Sequence, residues 1–199
     1  MWFVPIIHLN LTFTLIDKSN IRKSFLTKRK QLNTQDVQQM SHDIYRRILS
    51  IFDLNSIDVI ASYYAINNEA NLNNLLILQP NIYLPIIKTN HLMDFAQFNS
   101  PKDLIANKFG IPEPVTTKTI AANKINVCFV PLVAFSRQGV RLGMGGGYYD
   151  RYFEHNKDNK KPTKLVGIAY DFQESDTIQA NDWDIPLDII ITNKEVIKP

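Results

Sequence analysis

Three almost continuous apolar runs of strand length constrain the fold of this chain more than any other feature. They are INVCFV at 125–130, KLVGIAY at 164–170 and DIIIT at 188–192, and two further strands are predicted at 58–64 and 82–87. Strands that are apolar at nearly every position are typical of a parallel sheet covered by helices on both faces.

Helical patterns alternate with these strands. A helix is predicted over 18–30, and a second one follows Thr34, which can act as its N-cap. A short helix is predicted after Glu69, and another begins at Tyr148. The alternation predicts an α/β fold, a single three-layer α/β/α domain with a mostly parallel, mixed sheet of Rossmann-like architecture.

The composition suits one soluble domain. Of the 199 residues, 45% are hydrophobic and 21% charged, which is enough to bury a core. We divide the chain into an apolar N-terminal extension, 1–16, and a single domain, 17–199. The extension lacks a basic n-region and is too short to span a bilayer, so we expect it to pack on the body or to pair as an edge strand.

Charge and cysteine content exclude several classes of protein. Cys128 is the only cysteine, so a disulfide framework and a cysteine-rich zinc site are excluded. The net charge of +3 is too mild for a dedicated nucleic-acid binder but suits an anionic ligand. We therefore expect a cytoplasmic monomer that binds small molecules, with no nucleic acid and no membrane span.

Five of the seven glycines lie within nine residues, and four of these occupy RLGMGGGYYDR at 141–151. This window follows a predicted strand and leads into a helix, so it lies at the edge of the sheet where α/β proteins bind ligands. Unpaired backbone N–H groups at such a place bind phosphate. Arg137, Arg141 and Arg151 flank the window and could add contacts, and Asp150 could hold Mg²⁺ beside a bound polyphosphate.

A second basic element can meet the glycine window. Lys18 and Arg22 are four residues apart and share one face of the first helix, whose apolar stripe is Ile21, Phe25 and Leu26. The residues alone leave bland alternatives open: a mobile glycine loop, a helix-capping Asp150 and a solvated basic face. Neither a Walker A motif nor a dinucleotide fingerprint is present.

The stretch VPLVAFSRQGVRLGMGGGYYDRYF at 130–153 closely resembles the signature of the 5-formyltetrahydrofolate cyclo-ligase family. FGIPEP at 109–114, GIAYDFQ at 167–173 and WDIPLDIIIT at 183–192 agree in order and spacing, as does the Lys18–Arg22 pair. The resemblance covers about 17 to 197. Gly146 departs from some relatives, which carry a lysine there.

The resemblance implies an enzyme that uses Mg-ATP to convert 5-formyltetrahydrofolate into 5,10-methenyltetrahydrofolate, releasing ADP and phosphate. The implied route begins with attack of the formyl oxygen on the γ-phosphate. Folate N10 then attacks the formyl carbon, and phosphate leaves as the ring closes. Such chemistry depends on positioning and charge neutralisation at the phosphoryl group.

The resemblance also implies roles for individual residues. Arg141 is implied to be catalytic, and Asp150 is implied to be the magnesium residue. The implied folate contacts are Glu69, Met144 and Tyr148. The implied ATP contacts are Lys18, Arg22, Arg141, Gly143, Gly145, Gly146, Gly147 and Tyr149.

Two other functions remain possible at this point. One is a paralogue on the same scaffold that binds ATP but acts on another substrate. The other is a non-enzymatic module that binds RNA or a phosphorylated partner through the basic helix and the glycine window. Intact Lys18, Arg22, Arg141 and Glu69 disfavour the paralogue.

Overall fold

The fold is described from a computed structural model, which describes residues 17–116, 118–157 and 163–199. The N-terminal extension lies outside the described residues. The helices are α1 Lys18–Lys30, α2 Thr34–Ile51, α3 Asn73–Leu78 and α4 Tyr148–Tyr152. The strands are β1 Ile60–Ala61, β2 Ile82–Ile87, β3 Met93–Gln97, β4 Leu104–Ala106, β5 Pro112–Pro114, β6 Thr119–Ile120, β7 Val127–Pro131, β8 Ala134–Phe135, β9 Arg141–Leu142, β10 Lys164–Ile168, β11 Ile189–Ile191 and β12 Val196–Ile197.

An eight-stranded sheet forms the centre of the domain, in the order β12-β11-β10-β7-β1-β2-β3-β6. The five strands from β11 to β2 are parallel to one another. The outer strands β12, β3 and β6 pair antiparallel to their neighbours. The predicted α/β class and the mostly parallel, mixed sheet are therefore confirmed.

The strands are shorter than their apolar runs. The run predicted as a strand at 58–64 pairs only over Ile60–Ala61, between β2 and β7. Apolar residues beyond the strand, such as Tyr63, are still buried, but they belong to the loop after β1 and not to the sheet. Burial therefore extends past the hydrogen-bonded ladder, and periodicity alone cannot locate the end of the strand.

The helix starts are set by side-chain caps. The predicted N-cap of the second helix, Thr34, is wrong by one residue, because Asn33 is the cap and its side chain accepts from the backbone N–H of Asp36. Asparagine is at least as good a cap as threonine, and here it has the extended backbone that a cap needs. Asp17 caps α1 in the same way through the N–H of Ser19.

Two apolar cores lie on opposite faces of the central sheet. On one face, Ile44 and Ile48 of α2 and Leu75 of α3 are completely buried against the sheet. On the other face, the covering layer consists of the five-residue α4, the buried Phe153 after it, and loop residues such as Leu187. This second layer is thinner than the three-layer prediction suggests.

Helix α1 lies outside these two cores. Its residues Ile21 and Phe25 pack on a third, smaller cluster around Ala134 and Leu142, on the hairpin of β8 and β9. This hairpin leads directly into the glycine window, so packing of the apolar stripe places the basic face of α1 beside that window. Within the described ranges, no helix has both the length and the apolarity needed to cross a membrane.

Candidate functional site

The glycine window forms a loop over 143–147, between β9 and α4. Gly145 and Gly147 have φ values of 98° and 64°, in the left-handed region that side chains disfavour. A Cβ at Gly146 would lie 2.5 Å from the ring of Tyr148. The backbone conformation favours glycine at Gly145 and Gly147, and a side chain at Gly146 would require the Tyr148 ring to move.

The basic face of α1 contacts this loop. Arg22 donates from Nε to the carbonyl oxygen of Gly143 at 2.8 Å, and its guanidinium lies against Gly145. Lys18 lies one turn earlier, with Nζ 3.7 Å from a carboxylate oxygen of Asp184. The structure therefore brings together the two basic elements that the sequence analysis expects to meet.

Helix α4 is too short to supply a strong dipole. It has five residues, and a helix dipole is the sum of its aligned peptide units. The positive charge at the loop therefore comes mainly from the side chains of Lys18, Arg22 and Arg151, with the backbone N–H groups of the loop as additional donors.

Arg141 lies beneath the loop and is almost fully buried. Its side chain is 5% exposed, and it donates to Oδ1 of Asp150 and to the backbone carbonyl of Ile185. The same Asp150 oxygen accepts from the backbone N–H of Ile185 at 3.1 Å. A hydrogen-bond network thus connects β9, α4 and the loop before β11 through Arg141, Asp150 and Ile185.

The other two flanking arginines, Arg137 and Arg151, are already bound to protein groups. Arg137 is exposed and pairs with Glu174 and Glu195, and these hydrogen bonds and charges raise its pKa. Arg151 donates to the carbonyl oxygen of Gly146 and, at 2.7 Å, to that of His91. Arg151 therefore fastens the loop to the turn between β2 and β3.

The two tyrosines after the loop lie in different surroundings. Tyr148 lies beside His91 and Arg151, with ring and guanidinium 5.6 Å apart. Tyr149 packs edge-on against Phe95 at 6.2 Å. Burial raises the pKa of Tyr149 well above its usual range, and the charge of Glu69 adds to this shift.

Glu69 lies in the loop between β1 and α3, with its side chain 14% exposed. One carboxylate oxygen accepts from the backbone N–H of Ile66 at 3.1 Å, and the other lies 3.5 Å from the guanidinium of Arg29. Burial raises the pKa of Glu69, while Arg29 and the Ile66 N–H oppose that rise. The predicted folate-side residue is thus a partly desolvated carboxylate beside one cation.

Arg29 is the residue of this region that the sequence analysis missed. Its side chain is 4% exposed. A signal was available, because Lys18, Arg22 and Arg29 are spaced i, i+4 and i+11, which places all three on one face of a helix. Met144, in contrast, is at the surface of the loop with 67% of its area exposed.

A metal site is not evident from protein ligands alone. Among the residues that the structure describes, no three His, Cys, Asp or Glu side chains cluster closely enough to hold an ion. Magnesium beside phosphate needs only one or two carboxylates. Asp150 fits this requirement with one oxygen, Oδ2, which makes no hydrogen bond to any described residue, and its side chain is 21% exposed.

Two surface depressions lie at the opposite end of the sheet. Their volumes are about 160 and 480 Å³, and both are lined by the segment that precedes β1 and by Gln79. They adjoin the amino ends of β1 and β2, whereas ligands of parallel sheets bind beyond the carboxyl ends. We assign them no role.

Comparison with protein families gives a match along most of the chain. Residues 15–193 match the model of the 5-formyltetrahydrofolate cyclo-ligase family. The 5-formyltetrahydrofolate cyclo-ligase of Haemophilus influenzae is 31% identical over 183 residues, which cover 87% of this chain and 97% of that protein. The cyclo-ligase of Mycoplasma genitalium is 35% identical over 182 residues, with 90% and 99% covered.

Solved structures give the same match in three dimensions. The 5,10-methenyltetrahydrofolate synthetase of Aquifex aeolicus superposes with a TM-score of 0.77 at 32% identity, covering 91% of this chain and 92% of that one. The synthetase of Mycoplasma pneumoniae gives a TM-score of 0.72 at 29% identity, with 89% and 99% covered.

Proposed function

The chain belongs to the 5-formyltetrahydrofolate cyclo-ligase family, and we propose that the residues around its glycine loop convert 5-formyltetrahydrofolate and ATP into 5,10-methenyltetrahydrofolate, ADP and phosphate. The observation that carries this proposal is the contact of Arg22 with Gly143. It places a cationic helix on a glycine loop within a family whose reaction transfers a phosphoryl group.

The proposed reaction has two bond-forming steps. The formyl oxygen attacks the γ-phosphorus of ATP, so an O–P bond forms and ADP leaves. Folate N10 then attacks the formyl carbon and loses its proton. Cleavage of the C–O bond releases phosphate, which carries away the formyl oxygen and leaves the methenyl bridge between N5 and N10.

We assign the triphosphate to the face shared by α1 and the glycine loop. Lys18 and Arg22 supply two positive charges there, and the backbone of 143–147 supplies N–H donors. Cations aimed at the transferring phosphoryl group stabilise the charge that spreads over its oxygens. Lys18 is held by Asp184 at 3.7 Å, a distance long enough for a phosphate oxygen to compete for its ammonium group.

Arg141 is the proposed catalytic arginine, acting from beneath the loop. Two of its nitrogens are occupied by Asp150 and Ile185, so its guanidinium is fixed before substrate binds. A fixed charge in a poorly solvated place stabilises a developing charge without reorganisation. We propose that its remaining N–H groups and its field act on the transferring phosphate.

Asp150 is the proposed magnesium ligand, through its free oxygen Oδ2. Magnesium held there would supply positive charge that neutralises part of the charge of the phosphates. Asp150 itself has a second task, since Oδ1 orients Arg141.

We assign the pterin ring to Glu69. A carboxylate accepts two hydrogen bonds on each oxygen, and within the described part of the chain each Glu69 oxygen accepts only one. The free positions can accept the 2-amino and N3 hydrogens of the pterin. Tyr148 and Tyr149 are proposed to form the wall between the two substrates, with Met144 closing the exposed side toward the pterin.

The reaction is tested by mixing the purified protein with 5-formyltetrahydrofolate and Mg-ATP and following the near-ultraviolet absorbance of the methenyl product. ATP-dependent growth of that band, with ADP formed in equal amount, is expected. A flat trace from folded protein that still binds ATP would instead favour the paralogue with another substrate.

A further inference from the structure

Arg29 is a buried cation that the proposed reaction does not use. It lies in the last turn of α1, and its guanidinium has three separate partners. Nε donates to the carbonyl oxygen of Asn67 at 3.1 Å, one terminal nitrogen reaches that of Leu132 at 3.4 Å, and the other lies 3.5 Å from Glu69. These partners come from the loops after β1 and β7, at the carboxyl edge of the sheet.

Stability alone does not account for a cation in this position. Removing an arginine from water is unfavourable, and an ion pair offsets this only when its geometry is good. The contacts to Leu132 and Glu69 are long, so they offset the loss of hydration of the guanidinium only in part. A buried pair of this kind is better explained by what it orients than by what it adds to the free energy of unfolding.

The loop that carries Glu69 is fastened to the same end of α1 from the other direction. The side chain of Asn68 donates to the carbonyl oxygens of Arg29 and Leu32, at 3.1 and 3.0 Å. Asn67 and Asn68 both have positive φ values, 50° and 58°. Arg29 therefore donates to the loop after β1, and Asn68 of that loop donates back to the end of α1. These hydrogen bonds hold the tightly turned segment directly before Glu69.

We propose that Arg29 is a positioning residue for substrate recognition, which holds the Glu69 carboxylate and its loop in the orientation that accepts the pterin hydrogens. This inference rests on the proposed function. Helix α1 then serves both substrates from one face: Lys18 and Arg22 act at its amino-terminal end on the phosphates, and Arg29 acts about two turns beyond Arg22 on the folate side.

Two substitutions separate this role from general stability. Arg29→Lys keeps the charge but loses the planar fork that reaches three partners, and Arg29→Met removes both. For Arg29→Lys we expect the KM for 5-formyltetrahydrofolate to rise about tenfold, while the KM for ATP stays unchanged. A tenfold change is of the size found for coupling between residues of one hydrogen-bonded network. Arg29→Met should show a larger rise, provided that its thermal unfolding shows a folded protein.

The decisive comparison is a double-mutant cycle with Glu69→Gln. If Arg29 acts through the Glu69 carboxylate, Arg29→Lys should change the folate KM less than about twofold further in the Glu69→Gln background. Arg47→Lys is the matched control, since Arg47 also bridges elements by donating to the carbonyl oxygens of Asp43 and Lys194, but on α2. It should leave both KM values unchanged.

The outcomes distinguish this inference from the proposed function. Equal rises in both KM values, or a full additive effect of Arg29→Lys on Glu69→Gln, would overturn the positioning role while leaving the reaction intact. Absence of methenyl product from the unmodified protein would instead remove the proposed function itself.

Discussion

Arg22 and Gly143 are 121 residues apart in the chain, yet Nε of the arginine lies 2.8 Å from the glycine carbonyl oxygen. This hydrogen bond turns one carbonyl of the glycine loop toward α1. Among the described residues the remaining N–H groups of Arg22 make no hydrogen bond, and the guanidinium is held close to Gly145. The phosphate half of the proposed site is therefore organised by a contact between the first helix and the loop.

Arg22→Ala should weaken ATP binding without a comparable effect on folate binding. We expect the KM for ATP to rise about 10- to 100-fold, since a hydrogen bond to a charged group is worth about 1.5–3 kcal/mol. Steady-state kinetics with each substrate varied in turn provide the measurement. Lys23→Ala is the control, because Lys23 is exposed on the adjacent position of α1. Similar losses in both variants would indicate only a diffuse charge effect.

Gly146→Ala should impair the loop sterically. Its Cβ would overlap the Tyr148 ring at 2.5 Å, so the ring or the loop must move. Gly143→Ala meets no atom within 4 Å, and we expect it to cost clearly less activity. Turnover of the two variants, compared at matched thermal stability, is the measurement. Equal activity in both would mean that Tyr148 moves aside freely.

Arg141→Ala should reduce both turnover and stability. The substitution removes the arginine partner of Asp150 and leaves that carboxylate with one backbone N–H donor, that of Ile185, within the part of the chain that the structure describes. Leaving a partly buried charged group short of partners costs about 1–3 kcal/mol. Denaturant unfolding gives the stability, and single-turnover formation of the methenyl product gives the chemical step. Normal single-turnover rates would remove Arg141 from the mechanism.

Folate binding should depend on the ionisation of Glu69. Burial raises the Glu69 pKa above its ordinary value of 4.5, so the carboxylate gains a proton, and loses acceptor capacity, at a higher pH than an exposed glutamate would. Affinity should therefore fall as the pH is lowered through the Glu69 pKa. Arg29 is the cation facing it; the nearby tyrosines 63, 149 and 170 have raised pKa values and stay neutral throughout this range.

Binding of 5-formyltetrahydrofolate by titration calorimetry at a series of pH values measures this step. Glu69→Gln separates titration of the protein from titration of the ligand, because glutamine has no carboxyl group to protonate. This variant should bind folate weakly, and its affinity should no longer fall as the pH is lowered. An unchanged pH profile in Glu69→Gln would show that the decline belongs to the ligand or to another group.

The sequence predicted those parts of the fold that depend on local pattern. The apolar runs placed β2, β7, β10 and β11, and helical spacing placed Lys18 and Arg22 on one face of α1. The ends of elements were less predictable. The run at 58–64 is buried from Ile60 to Tyr63 but is paired for two residues only, because its neighbours determine where pairing stops.

The side-chain partnerships of the site could not be read from the sequence. Arg141 and Asp150 pair because a loop with left-handed glycines folds back between them, and such a path is set by backbone geometry. Arg29 was passed over because an arginine within a basic helix is usually solvated. Its burial follows from the long-range docking of α1 against the loops after β1 and β7.

The most direct test of the account is the fate of the formyl oxygen. 5-Formyltetrahydrofolate labelled with ¹⁸O in its formyl group would be turned over with unlabelled Mg-ATP in ordinary water, and the released phosphate analysed by mass spectrometry. Phosphorylation of the formyl oxygen requires one ¹⁸O atom in each phosphate released, because the oxygen that attacks phosphorus leaves with it. Unlabelled phosphate, with the ¹⁸O found in water, would contradict phosphorylation of the formyl oxygen.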